Sequence, residues 1–412
     1  MRKEILAGLS TFFTVAYLLL LYPKILSEGG IDFGSALTAT ILSIVISTLF
    51  LALYSQFPAL LAPGLSVGPF LVYSVIQKQN ASWEVALGMV FWAGLVIFLL
   101  SIFKVRQKIL LNLPPSIKSA AIGGIGFFLI SVGIKDLGVF EGAIFNISNA
   151  IALFGLILFF VLHYYNIASA FIVAILACWI LAVPFGYVTW NGLIALPSSM
   201  SPTFLKLDLW TPLQFEWLGT ILSIVLINLF DTSAALTALA KLAHKVTEQG
   251  RIKNIDRIVI PDGPGSMLAA LLGTGTLTFT LESSSGIKAG GRTGITAITA
   301  ALCCLVGLFF YPLISSIPIF ATAPVLIAIG IFMAQEIKSI QWKKLDDSIP
   351  ALLTLVTIPL TFSIYRGFAF GFVSFTLIKA VKGQWKEVHP VCWTLAVIFA
   401  AHLSWALATN HF

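Results

Sequence analysis

The chain is poor in charge. Of its 412 residues only 10% are Asp, Glu, Lys or Arg, and 58% are hydrophobic. Soluble domains carry roughly 25% charged residues, so an ordinary soluble globule is excluded. Charge is missing altogether from residues 5–23, 33–77, 85–103, 263–281 and 348–365. Each run is long enough for at least one helical crossing of about 20 residues. Cysteine is scarce: Cys178, Cys303, Cys304 and Cys392 all sit in apolar runs without metal spacing, so packing is their expected role. The five histidines form no HxxxH or HExxH pattern, and His163, His389 and His411 stand at segment ends or near the terminus. No metal or cofactor is therefore expected. The glycines at 290–294 lack the GK[ST] of a phosphate loop, and no Ser–His–Asp order has a plausible context. Both absences speak against an enzyme. The lack of a sizeable soluble domain speaks against a receptor.

The abundant feature is the apolar segment. A first set is expected at 6–22, 35–56, 60–77, 85–103, 117–137, 147–163 and 168–188. A second is expected at 217–240, 263–272, 273–294, 295–314, 319–333, 349–364 and 367–380. A further run at 391–407 reads either as a fifteenth segment or as a helix lying against the others. The link at 189–215 carries Trp190 and Trp210, and with Trp217 beside it these look like interfacial anchors. MRKEILAG opens the chain without an A-x-A cleavage site behind it, so the first apolar run is read as a retained helix.

The net charge of +7 fits membrane topology rather than nucleic acid. With the N-terminus inside, the basic groups Arg2/Lys3, Lys104/Arg106/Lys108, Lys241/Lys245/Arg251/Lys253/Arg257, Lys338/Lys343/Lys344 and Lys382/Lys386 all fall on the cytoplasmic side.

Two segments are broken. Pro63, Gly64, Gly68 and Pro69 within nine residues forbid an ordinary helix interior. In 273–294, Thr274, Thr276, Thr278 and Thr280 alternate with Gly275, Leu277, Phe279 and Leu281, the period of a strand, and a half-helix is expected to start near Glu282. Each break is third in its set of seven. Interrupted segments in corresponding places mark an inverted repeat, with the substrate site at the breaks.

Asp231 lies mid-segment in LINLFDTSAALTALA, with no other ionisable residue between Glu216 and Lys241. A mid-membrane charge costs about 2.5–3.5 kcal/mol on insertion scales. It is read as a ligand or proton site, the structural alternative being a buried Arg partner or a cap. Asn228 is one turn away on the same face. Glu282 is the second buried acid, read as a substrate contact, a cap, or both. Free N–H groups at the two half-helix starts are expected to bind polar substrate groups. Ser66, Thr280, Ser283 and Ser284 are candidates for further hydrogen bonds, or for satisfying backbone. Arg292 reads as an anchor for the following segment.

The stretches EILAGLSTFFTVAY (4–17), ALLAPG (59–64), NLFDT (228–232), LLGTGT (271–276), ESSSGIKAGGRTG (282–294), ATAPVLIAIGIFM (321–333) and PLTFSIYRGFAFGF (359–372) carry a resemblance. Over residues 4–386 the chain resembles the AzgA-like purine permeases, the hypoxanthine–guanine–adenine branch of the nucleobase:cation symporter-2 (xanthine/uracil permease) group. The resemblance implies about fourteen segments in a seven-plus-seven inverted repeat, divided into core and gate. The core would be 1–110 and 216–316, the gate 111–190 and 317–386, with an extracytoplasmic link at 191–215 and an extra C-terminal segment at 387–412. It implies substrate contacts at Asp231 and Glu282, proton-coupled uptake and homodimerisation.

The chain departs from the family pattern near that site. APGLSVGPFL replaces a usual APGMGLNAFF, so that Gly68 stands for Asn and Ser66 for Gly. TLTFTLES replaces TTTSYIES, losing a Tyr at Thr280. Ser233–Ala234–Ala235 replaces a small residue, Gly and Thr, and Tyr22 replaces an Asn before Pro23. These exchanges alter hydrogen-bonding groups and so bear on which ligand the site satisfies.

The expected fold is thus all-α and polytopic, with two broken segments containing short strands. The expected function is import of a purine nucleobase by proton symport in the cell membrane, with the N-terminus cytoplasmic. The substrate-binding set is Asp231, Glu282, Ser66, Gly68, Thr280, Leu281 and Ser283, with Asp231 and Glu282 as proton-coupling candidates. The alternatives are another small heterocycle or an anion on the same architecture, and beyond those a receptor or membrane enzyme. The expected partners are a nucleobase, protons and the bilayer, with no nucleic acid.

Overall fold

The computed structural model describes residues 1–139, 146–190, 192–247 and 252–408; Arg251 and His411 lie outside the described residues. The helices of the first half are α1 (Arg2–Glu28), α2 (Phe33–Ser55), α3 (Val67–Pro69, running on as a wider π-type turn to Ile76), α4 (Trp83–Ile102), α5 (Val105–Asn112), α6 (Pro115–Asp136), α7 (Ile147–Tyr164) and α8 (Ala170–Ala182). The second half holds α9 (Phe215–Leu242), α10 (Ile255–Val259), α11 (Asp262–Leu272), α12 (Ser283–Lys288), α13 (Gly294–Cys304), α14 (Tyr311–Ser315), α15 (Ala323–Ala334), α16 (Leu345–Thr361) and α17 (Ile364–Val381), followed by α18 (Pro390–Ala408). Among the described residues, nine helical stretches are long and apolar enough to cross a membrane. The two strands are β1 (Leu61–Pro63) and β2 (Leu277–Phe279).

The strands are shorter than the alternation at 274–280 predicts. They pair antiparallel, Leu61 opposite Phe279, Ala62 opposite Thr278 and Pro63 opposite Leu277. Antiparallel pairing is what two halves of opposite orientation give when equivalent segments meet. The ladder is lengthened on both sides by Gly64 N–H to Thr276 O (3.2 Å) and Thr280 N–H to Leu60 O (3.3 Å).

A two-stranded sheet has two open edges, and an unsatisfied backbone group in a membrane interior costs several kcal/mol. Side chains close both. On the β1 edge, Leu61 N–H donates to Thr48 Oγ1 (3.1 Å), and at the end of the ladder Leu60 N–H donates to Ser283 Oγ (3.0 Å). On the β2 edge, Leu277 N–H donates to Ser266 Oγ (3.1 Å), and Leu277 O accepts from Asn228 Nδ2 (3.0 Å). Asn228 is therefore turned toward the strand rather than sharing the site with Asp231.

Two bodies pack around this crossing. In one, α1 lies on α2, α12 and α13, α4 on α9 and α11, and α11 on α2; in the other, α6 lies on α15 and α16, α16 on α17, and α7 on α8 and α15. These are the core and gate of the expected fold. The extra run forms α18 against α17 and α9, its buried His402 held between Tyr365 Oη (2.6 Å) and the Glu216 carbonyl (2.7 Å). The link lies over the core, with Ser35 Oγ donating to Ser199 O and Trp92 Nε1 to Leu209 O. Trp190 and Trp210 are exposed, but Trp217 is only 7% exposed and packs inward from α9, unlike the anchor expected.

Basic residues gather at one end. Lys104 pairs with Asp256 (3.4 Å), Lys245 donates to Gln56 O (2.7 Å), and Glu4 accepts from Arg292 N–H (3.1 Å). Arg106 differs from its neighbours in sequence. It is 2% exposed, and its Nη2 lies 2.7 Å from Oδ2 of the fully buried Asp262, which also accepts from Thr232 Oγ1 at 2.9 Å. Removing one partner of such a pair leaves an uncompensated buried charge, at a cost of about 3–5 kcal/mol. Asp262→Ala should therefore lower the thermal midpoint in detergent sharply. Arg106→Met with Asp262→Leu should recover most of that loss, because the double change leaves no charge unpaired.

Candidate functional site

A cavity of about 270 Å³ lies between core and gate, directly beside the strand crossing. That is at or just below the small end of ligand pockets, which span roughly 300–1,000 Å³. The core wall comprises Tyr17 and Leu18 of α1, the loop Pro63–Ser66, Asp231, Ala234 and Ala235 of α9, and Thr278–Glu282. The gate wall is Ile122 of α6, Ile329, Phe332 and Met333 of α15, and Glu336 just beyond it. On α6 these residues fall in the half next to Lys118, on α9 in the half next to Lys241, and on α15 toward Lys338. The cavity thus sits toward the basic end. At the opposite end, core meets gate where Tyr73 Oη lies 2.9 Å from Glu28 Oε2 and 3.2 Å from Asp136 Oδ1.

Five of the expected site residues line this cavity: Ser66, Asp231, Thr280, Leu281 and Glu282. The Ser66 side chain stands beside the Asp231 carboxylate on the cavity wall. Among the described residues no ion pair involves Asp231 or Glu282, and no Lys, Arg or His lines the cavity. The buried Arg expected as a structural partner exists, but Arg106 serves Asp262. The Thr280 hydroxyl is occupied within the backbone frame, at 3.2 Å from Leu60 O and 3.1 Å from Ser283 Oγ. Gly68 and Ser283 stand behind the wall, Gly68 against the Tyr22 ring and Ser283 bonded to Leu60 N–H.

Several of the half-helix N–H groups expected to be free have backbone partners. Val67 and Gly68 N–H both donate to Gly64 O (3.2 Å), and Ser283, Ser284 and Ser285 N–H close tight turns onto Thr280, Leu281 and Glu282 O. Turns of this kind satisfy orphan donors that would otherwise face a ligand. Those five N–H groups are committed to the backbone, and the carboxylates of Asp231 and Glu282 are acceptors on the cavity wall.

The α1 helix contributes a stripe that its aromatic and hydroxyl pattern did not single out. Ser285 Oγ donates to Ser10 O (3.1 Å), Thr14 Oγ1 meets Ser285 Oγ (2.8 Å) and Glu282 O (3.2 Å), and Tyr17 Oη donates to Glu282 Oε1 (2.6 Å). Positions 10, 14 and 17 share a helix face, and that face grips the first turn of α12. The Arg292 guanidinium turns back onto Ile287 O (2.6 Å) and Gly291 O (2.7 Å) rather than forward, and the start of the next segment is held instead by Glu4, which accepts from Arg292 and Thr293 N–H.

Residues 2–370 match a family model described as the permease family, of the xanthine/uracil type. The chain belongs to the xanthine/uracil permease family. The permease is similar to adenine permease AdeP of Escherichia coli, 31% identical over 97% of this chain and 92% of that protein. It is also similar to guanine/hypoxanthine permease PbuG of Bacillus subtilis, 33% identical over 97% of this chain and 95% of that protein. The transmembrane domain of the cyanobacterial bicarbonate transporter BicA superposes with a TM-score of 0.63, covering 88% of this permease and 97% of that chain, at 18% identity. At that identity the likeness is one of fold.

Tyr22 fixes the shape of the permease's strand crossing. Its ring is fully buried, and its hydroxyl has no partner among the described residues. A Cβ at Gly275 would lie 2.1 Å from that hydroxyl, and one at Gly68 2.5 Å from the ring. Gly275→Ala should cost about 1–3 kcal/mol by overpacking. Tyr22→Phe should restore most of that loss, because the next atom in the way, Tyr22 Cζ, is 3.2 Å off. Thermal unfolding of the single and double variants checks this.

Proposed function

We propose that this permease imports a purine nucleobase of the hypoxanthine, guanine or adenine class by proton symport and alternating access. The observation that carries the reading is the cavity's chemistry: the carboxylates of Asp231, Glu282 and Glu336 as acceptors, apolar side chains of both walls around them, and no cation among the lining residues. Such a site attracts a neutral flat molecule with several N–H donors and repels an anion. A purine base is such a molecule, its ring faces suited to Leu18, Ile122 and Phe332 and its N–H groups to carboxylate oxygens. The names of AdeP and PbuG support the same substrate class.

In this mechanism Asp231 and Glu282 accept hydrogen bonds from ring N–H or amino groups, with Ser66 steadying Asp231. Asp231 carries the coupled proton, because among the described residues no cation pairs with it and, unlike Glu282, it has no 2.6 Å hydroxyl donor holding its charged form. The core, 1–110 and 216–316, moves against the gate, 111–190 and 317–386. With the N-terminus cytoplasmic, the basic end and the cavity mouth face inward, and the Glu28–Tyr73–Asp136 contact closes the outer route. A multi-pass protein of the cell membrane working as a homodimer completes the proposal.

Uptake of radiolabelled hypoxanthine, guanine and adenine into proteoliposomes, with and without an inward proton gradient, tests it. Asp231→Asn and Glu282→Gln should each lower proton-linked uptake by about 30-fold or more, the equivalent of one charged hydrogen bond of roughly 2 kcal/mol. Full purine uptake in both variants would overturn the site assignment.

A further inference from the structure

Among the described residues, Tyr17 is the one side chain that hydrogen-bonds the Glu282 carboxylate, its Oη 2.6 Å from Oε1. The α12 backbone needs no help from Tyr17, because Thr14 and Ser10 already hold it through Glu282 O and Ser285 Oγ. What Tyr17 adds is the orientation of the carboxylate itself.

The other side of the same ring belongs to the gate. Tyr17 lies on Phe171 of α8, ring centroids 4.6 Å apart and 32° between planes. Phe171 stacks on Phe159 of α7 (4.5 Å, 20°), and Phe159 meets Phe332 of α15 edge-on (5.9 Å, 62°). Phe332 lines the cavity, whereas Phe171 and Phe159 do not. A continuous file of aromatic rings therefore runs from the gate wall of the cavity, behind it, to the residue that aims the core's carboxylate.

We infer that Tyr17 is a positioning residue that makes the aim of Glu282 depend on where the gate stands. With the gate packed as here, Phe171 holds the Tyr17 ring and its hydroxyl points at Oε1. When the gate moves relative to the core, the ring loses that support and Glu282 loses its fixed donor. The substrate-binding carboxylate is thereby set for binding in one gate position and slack in the other. Ring contacts of this kind are modest beyond the area they bury, enough to bias a rotamer without locking it.

The inference rests on the purine-transport reading, and the experiment separates the two. Concentration-dependent hypoxanthine uptake is measured in proteoliposomes for the full chain, Tyr17→Phe, Phe171→Leu and the double variant, each at matched protein level. Tyr17→Phe keeps the ring and loses only the hydroxyl, so KM should rise about 10-fold or more with a smaller change in maximal rate. Phe171→Leu, which touches neither cavity nor carboxylate, should raise KM about 3-fold when Tyr17 is present and not further in the Tyr17→Phe background, the non-additivity expected of residues acting through one contact. Wild-type KM in Tyr17→Phe, or effects that multiply in the double variant, would overturn the inference while leaving purine transport standing. Absence of purine uptake by the unmodified chain would instead overturn the transport reading beneath it.

Discussion

Two short strands cross inside a membrane protein, and their open edges must be closed without water. That constraint orders the core. Thr48 from α2, Ser266 from α11, Asn228 from α9 and Ser283 from α12 each supply a hydrogen bond to an edge group of Leu60, Leu61 or Leu277. Four helices are thereby fixed to one crossing by side chains of modest size. The helices need not be continuous there, because the ladder takes over the backbone's hydrogen bonds. The interruption in turn leaves room at membrane depth for a cavity with polar walls.

The same requirement sorts the buried acids into two kinds. Asp262 is a structural acid. Arg106 pairs with it, Thr232 donates to it, and Asn228, which caps the Leu277 carbonyl, lies beside it. Among the described residues no cation pairs with Asp231 or Glu282; Tyr17 donates a neutral hydroxyl to Glu282, and Ser66 stands beside Asp231. A charged group left without a counter-ion in a low-dielectric setting is costly. Its persistence makes sense where a ligand or a proton completes it part of the time. The three buried acids thus differ by whether a guanidinium reaches them.

Much of this was legible in the sequence, and the reasons are physical. Proline and glycine clusters at 63–69 and threonine alternation at 274–280 are local signals, so the breaks and their equivalence in the two sevens could be read directly. Asp231 and Glu282 stood out because charge is rare in this chain. The Arg106–Asp262 pair was not legible, because 156 residues separate its partners and Arg106 sits among loop lysines that look alike in sequence. Tyr17 was hidden for the opposite reason: a tyrosine in an apolar helix reads as packing, and only the fold shows that its hydroxyl meets a carboxylate. The half-helix N–H groups misled, because sequence gives the start of a helix but not whether a tight turn has already consumed its donors.

The departures from the family pattern acquire a geometric meaning. Gly68 and Gly275 leave the space that the Tyr22 ring fills, one glycine from each broken segment facing a single side chain of α1. These positions are therefore coupled: a larger residue at 68 is compatible only with a smaller one at 22. The exchange moves bulk from the broken segment into α1 without opening a void, and it removes hydrogen-bonding groups from behind the cavity wall rather than from its surface. The polar side chains that line the cavity are the carboxylates of Asp231, Glu282 and Glu336 and the hydroxyls of Tyr17, Ser66, Thr278 and Thr280. On the transport reading proposed above, substrate choice in this chain depends on how those groups are aimed, and Glu282 takes its hydrogen bond from Tyr17 of α1.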